Sequence, residues 1–147
     1  LRLSLIGMGV PEGELADAAA RAETALDNTL QDGKGRWILS ADHREAASEL
    51  ALSGVEAQRV VSVVIDRTFV DADGTRWVVD FKTSPHEGGS VEHFLDEQTE
   101  RYRPQLTRYA RLLHKLKGGP VRAGLYFPLL KEWRECVLAP LATESNR

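Results

Sequence analysis

The stretch Val63-Val64-Ile65-Asp66-Arg67-Thr68-Phe69-Val70-Asp71-Ala72-Asp73-Gly74-Thr75-Arg76-Trp77-Val78-Val79-Asp80-Phe81-Lys82 decides the fold. Two apolar, β-branched runs flank an Asp-Gly pair. Asp73-Gly74 supplies the positive φ that a tight hairpin needs, so Arg59–Val70 and Arg76–Lys82 are expected to pair as antiparallel strands. Extended chain alternates its side chains between two faces, which puts Asp80 and Lys82 on one face and Phe81 on the other. The turn lies about seven residues from both Asp66 and Asp80, so the hairpin brings the two acids side by side.

Upstream, Ser48–Leu52 reads as a short extended run ending at Gly54, the first strand of a three-stranded antiparallel meander. Before it, Pro11 suits a first helical position, and Leu15, Ala18, Ala19, Ala22, Leu26 and Leu30 recur at helical spacing until Gly33 and Gly35. Downstream, Thr83–Gly89 is a loop, Val91–Glu97 a short helix and Glu100–Lys117 a second helix. The apolar face of that second helix is Tyr102, Leu106, Tyr109, Leu113 and Leu116, and Gly118-Gly119-Pro120 stops it. Val121–Phe127 is a strand broken by Pro128, and Trp133–Leu138 is its hairpin partner. The order α-β-β-β-α-β-β, without repeat or linker, makes residues 1–147 one α/β domain.

Composition narrows the function. The chain has 147 residues, is 42% hydrophobic and carries a net charge of −3, which excludes a disordered segment and a globally basic nucleic-acid coat protein. The single cysteine, Cys136, excludes an internal disulfide and a four-cysteine metal cluster. No apolar run approaches the roughly 18 residues of a membrane span, so no membrane partner is expected. The chain opens Leu1-Arg2-Leu3, and it is expected to be a piece of a longer protein. Charge is unevenly distributed: Glu12 to Asp32 holds six acids and one base, whereas Glu100 to Arg122 holds seven Lys or Arg and one acid. The basic stretch is either an ordinary solvated helix face or the place where a polyanion is met.

Two converging carboxylates repel each other unless a cation compensates them. A divalent ion with hard oxygen ligands, Mg²⁺ or Mn²⁺, does so, and it polarises a phosphoryl oxygen and activates a bound water. Lys82 would then position that water or neutralise the charge of the transition state. The alternative on these residues is a structural ion pair of Asp66 with Arg67 or Lys82. Gln105 and Tyr109, four apart on one helical face, suit a water or phosphate, and Arg101, Arg103 and Arg108 suit a nucleic-acid backbone. The spacing of Tyr109 equally suits a core aromatic.

Ile65-Asp66-Arg67, Val79-Asp80-Phe81-Lys82-Thr83-Ser84, and Tyr102-Arg103-Pro104-Gln105-Leu106 with Tyr109 together resemble the PD-(D/E)XK nuclease superfamily. Within it the chain is similar to the RecB-like nuclease domain of UvrD/Rep-type helicases, the AddA and RecB class, from about Pro11 to Trp133 including Leu125-Tyr126-Phe127-Pro128. The resemblance implies a restriction-endonuclease-like core, a mixed β-sheet flanked by helices. It implies Mg²⁺- or Mn²⁺-dependent DNA cleavage within an ATP-driven helicase–nuclease of double-strand break repair or recombination, in the bacterial cytoplasm. Asp66 and Asp80 would ligate metal by carboxylate and Phe81 by its carbonyl, Phe81 standing where the family usually has Tyr. Lys82 would be the catalytic lysine, Gln105 and Tyr109 the Gln-x-x-x-Tyr motif, and Glu49 a further acid from the preceding strand. ATP would belong to helicase domains outside this sequence, and the partners would be DNA, those helicase domains and a second helicase–nuclease subunit.

The family also carries a metal-ligating His on a helix upstream of these motifs. The first His here, His43, follows the first helix, so that helix is expected to be missing from this sequence. His43, His86, His93 and His114 are scattered without ligand spacing and read as surface residues, His86 standing apart because it follows Lys82 in the loop. No Gly-x-Ser-x-Gly elbow or Walker motif is present. The competing reading is a non-catalytic DNA-binding or scaffold module that keeps the nuclease fold.

Overall fold

The computed structural model describes residues 12–86 and 88–141. Helix α1 (Glu12–Gln31) is followed by the short α2 (Gly33–Leu39). Strands β1 (Arg44–Glu56), β2 (Arg59–Val70) and β3 (Arg76–Phe81) come next, then helix α3 (Val91–Lys117) and strands β4 (Val121–Phe127) and β5 (Glu132–Cys136). The five strands form one sheet in the order β1-β2-β3-β4-β5. β1, β2 and β3 make the antiparallel meander, β3 and β4 run parallel, and β4 and β5 return as an antiparallel pair. α3 is the crossover that a parallel β3–β4 pair requires. This is the mixed sheet flanked by helices that the sequence leads one to expect.

Each face of the sheet has its own core. On one, α3 lays Leu95, Leu106, Tyr109, Ala110 and Leu113 against Ile65, Val78, Ala123, Leu125 and Phe127. On the other, Ile38 of α2 packs with Phe69, Trp77, Val79 and Tyr126. Each fully buried Leu, Ile or Phe contributes about 1.5–3 kcal/mol relative to leaving it exposed. No helix among the described residues is long and apolar enough to cross a membrane.

Several local expectations are corrected. Gly54 does not end β1, which runs on to Glu56. Ala57 and Gln58, both with positive φ (48° and 65°), turn the chain directly into β2, with Glu56 opposite Arg59. Positive φ at both central residues is the type I′ geometry, here without the usual Asn-Gly signal. Gly54 serves close approach instead: a Cβ there would stand 2.6 Å from Leu112 Cδ2. Gly33 and Gly35 lie within α2, whose N-cap is Asp32, its carboxylate accepting from Gly35 N. The two helices expected after the loop are one 27-residue helix containing Pro104, capped by Ser90 and ended at Gly118. In α1, Ala19, Ala25 and Thr29 are buried, whereas Leu26 and Leu30 are exposed, as is Leu116 in α3. Pro11 lies outside the described residues.

Candidate active site

The site forms where β2 and β3 part. Their ladder ends at Arg67 opposite Val79. Ile65 belongs to the core beneath α3, yet Phe69, of the same strand parity, belongs to the opposite core, and the Arg67 guanidinium donates to the Ile38 carbonyl of α2. Strict alternation would keep all three on one face, so the pleat slips at Asp66. Glu49, which the register sets opposite Asp66, marks the same irregularity with a φ of 52°. The slip turns the Asp66 carboxylate toward β3, where it accepts from Phe81 N at 2.9 Å. It replaces the backbone acceptor that a continued ladder would have offered.

Asp80, buried on the α3 face of β3, follows Val79 as Asp66 precedes Arg67, so the two acids stand side by side one step beyond the last paired residues. Burial, and then the neighbouring Asp80, push the Asp66 carboxyl up to about 6, against the lowering effects of Phe81 N–H and the Lys82 charge. Lys82 Nζ stands 2.6 Å from Asp80 Oδ2, an ion pair whose angles leave that buried oxygen without a formal hydrogen bond. The ion pair of Asp66 with Arg67 or Lys82 that the sequence leaves open is not formed among the described residues; Lys82 pairs with Asp80 instead. Among the described residues Arg67 pairs with no acid but donates to the carbonyls of Ile38 and Ser40 and to Ser48 Oγ, tying α2 and β1 to β2. The N–H and C=O of one residue leave an extended strand on the same side, so the Phe81 carbonyl is directed with its N–H toward Asp66.

α3 adds Gln105 and Tyr109. Gln105 Nε2 donates to Tyr109 Oη at 2.7 Å, and Gln105 Oε1 is buried without a partner among the described residues. Burial raises the Tyr109 hydroxyl above its usual range, with Asp80 and Asp66 adding to the effect. Tyr109 therefore serves both readings, as a core aromatic and as a group close to the acid pair. Beside it a groove of about 580 Å³ runs between Ser62–Val64 and Pro104–Tyr109, with Arg108 in its wall.

Other expected residues stand apart. Glu49 is exposed, and among the described residues no three acids, histidines or cysteines gather to hold a metal, so Glu49 does not join Asp66 and Asp80. Of the three arginines, Arg103 is held by Glu100 and the Val137 carbonyl, and Arg108 by Glu56 at 3.2 Å. Arg111 reaches the same Glu56 at 3.7 Å. Arg101 is exposed and takes part in none of the ion pairs found among the described residues. His43 stacks on Phe69 and bonds the Trp37 carbonyl, His93 pairs with Glu97, and His114 bonds the Gly119 carbonyl. His86 packs on Phe94, its Nε2 buried and without a partner among the described residues. The residue that sequence reasoning missed is Tyr102, assigned there to the core, whose ring centroid lies 3.6 Å from Lys82 Nζ. Its signal was its place three residues before Gln105, on the same helical face.

A family model described as the PD-(D/E)XK nuclease superfamily matches residues 9–144. The chain belongs to the PD-(D/E)XK nuclease superfamily. The match spans every described strand and helix and takes in Asp66, Asp80 and Lys82. No curated protein matches the chain. Members of this superfamily are typically nucleases that use divalent metal ions. The donor chemistry suits such an ion: the Asp66 and Asp80 carboxylates and the Phe81 carbonyl are all hard oxygens, and Asp80 Oδ2 already stands against a cation, the Lys82 ammonium.

Proposed function

We propose that this PD-(D/E)XK domain hydrolyses DNA phosphodiester bonds with Mg²⁺ or Mn²⁺, within a larger ATP-driven helicase–nuclease of double-strand break repair or recombination. The observation that carries the hydrolysis is the β2–β3 register, which sets Asp66 and Asp80 side by side, with the Lys82 ammonium 2.6 Å from Asp80. The helicase setting rests on the likeness of the three motif segments to the RecB and AddA class. With it go ATP use elsewhere in the polypeptide, a second helicase–nuclease subunit, and work in the bacterial cytoplasm.

Asp66, Asp80 and the Phe81 carbonyl would hold the ion, which when bound supplies Lewis-acid polarisation of a phosphoryl oxygen and an acidified water. Above about pH 6 Asp66 has released its proton and its carboxylate is available. Lys82, beside Asp80, is placed to offset the negative charge that grows on phosphorus in the transition state. Gln105 keeps one amide oxygen unengaged and, with Tyr109, presents hydrogen-bonding groups to a water or phosphate. Arg101 is open to backbone phosphates, and Arg108 becomes so on leaving Glu56.

The test is a cleavage time course on linear duplex and single-stranded DNA across Mg²⁺ and Mn²⁺ concentrations, with Asp80→Ala and Lys82→Ala beside the wild type. Cleavage by the wild type and none by either variant is expected. A wild type that binds DNA but degrades none favours the scaffold reading. Parental rates in Asp80→Ala refute the site assignment.

A further inference from the structure

The Lys82 ammonium stands 2.6 Å from Asp80 Oδ2 and 3.6 Å from the centroid of the Tyr102 ring. We propose that Tyr102 is a positioning residue for Lys82, its ring face holding the ammonium at the acid pair while the carboxylates are engaged elsewhere. This rests on the nuclease reading above and adds a residue to it.

The contact lies well inside the roughly 6 Å at which a cation is attracted by a ring face, and the Lys82 side chain is only 16% exposed, so water screens it little. Tyr102 is itself fixed. It packs against the core beneath α3 and stands three and seven residues before Gln105 and Tyr109, so one face of α3 carries all three over the acid pair. Asp80 cannot restrain Lys82 through a reaction that draws on its own carboxylate. Once that charge is shared with a divalent ion, the ion pair weakens and a like charge stands nearby. Lysine is a flexible four-carbon stem with a strongly hydrated head, free to swing toward water. The ring quadrupole does not depend on the state of Asp80, so it is the restraint that persists.

Two readouts on the full 147-residue chain test this. In lysine-labelled protein, with the resonance assigned through Lys82→Arg, the Lys82 Cε protons should be shifted upfield by the Tyr102 ring. The shift should persist in Tyr102→Phe and vanish in Tyr102→Leu. In DNA cleavage, Tyr102→Leu should lower kcat about tenfold, the size of a partly shielded cation–π contact, with KM within about twofold. Tyr102→Phe should restore kcat to within about threefold of wild type. An unshifted Lys82 in the wild type overturns the proposal, whether or not the leucine variant folds; so does wild-type kcat in a folded Tyr102→Leu. If the wild type cleaves no DNA while the upfield shift is present, the nuclease reading fails and the positioning role falls with it, although the contact stands.

Discussion

Replacing Asp66 with asparagine should make the protein more stable and its proposed cleavage undetectable. The two effects have one cause. In the absence of metal the fold holds Asp66 and Asp80 side by side and partly withdrawn from water, and burial and the neighbouring Asp80 raise the Asp66 carboxyl. The amide oxygen introduced by Asp66→Asn would still accept from Phe81 N, and its N–H would be offered to Asp80, without the second charge. A carboxyl raised from 3.8 to about 6 corresponds to about 3 kcal/mol at high pH if fully shielded. Asp66 is partly open to water, and screening reduces this to about 1–2 kcal/mol. The sign follows from proton binding. The folded carboxyl keeps its proton to higher pH than the unfolded one, so the native state binds more protons between about pH 4 and 6. Stability contributed by this group therefore falls as pH rises through that window and is level above it. Thermal unfolding in EDTA at about pH 8 should show Asp66→Asn higher by about 3–6 °C, a chain of this size gaining about 3 °C per kcal/mol. At about pH 5 the advantage should shrink by about half. Excess Mg²⁺ should raise the wild-type midpoint and leave that of the variant nearly unmoved. A variant no more stable than wild type at the higher pH without metal would refute the reasoning.

Three further outcomes follow from the same geometry. Lys82→Met should lower kcat by about 10²–10³, with Mg²⁺ affinity by calorimetry changed only a few-fold, since Lys82 offers no ligand atom. Glu56→Gln should tighten DNA binding by freeing Arg108 and Arg111, and Arg108→Ala should reduce the salt slope of binding by about 1, both read by fluorescence anisotropy. Gly124→Ala should cost about 1–3 kcal/mol in urea unfolding, because the new methyl would strike the Trp133 ring and stand 2.9 Å from the Arg134 carbonyl oxygen. Gly54→Ala, which meets only the tip of Leu112, should cost less.

What could be read from the chain was local. Asp73-Gly74 specifies its turn by the φ it tolerates (82° at Gly74), and the strands on either side follow from β-branched runs. Pleat parity alone put Asp80 and Lys82 together, and they are 2.6 Å apart. Where local signals were weak, the reading failed. Ala57-Gln58 carries no turn signature, so neither the full length of β1 nor the groove between β2 and α3 is legible in the sequence. Asp32 caps α2 at a point where two glycines suggested only a helix end.

The sequence by itself determined which chemical groups exist and how neighbours in the chain face: the acids, the lysine, the Gln-x-x-x-Tyr spacing and the order of strands. Tertiary structure alone decided how those groups are used. The slip at Asp66 needs α2 and α3 pulling Arg67 and Ile65 to opposite faces of one strand. The engagement of Arg103 and Arg108 needs Val137 and Glu56, 34 and 52 residues away in the chain. The ring beneath Lys82 comes from a helix 20 residues further on. Periodicity encodes direction within an element, but charge pairing and burial are set by contacts between elements, and no local pattern carries them.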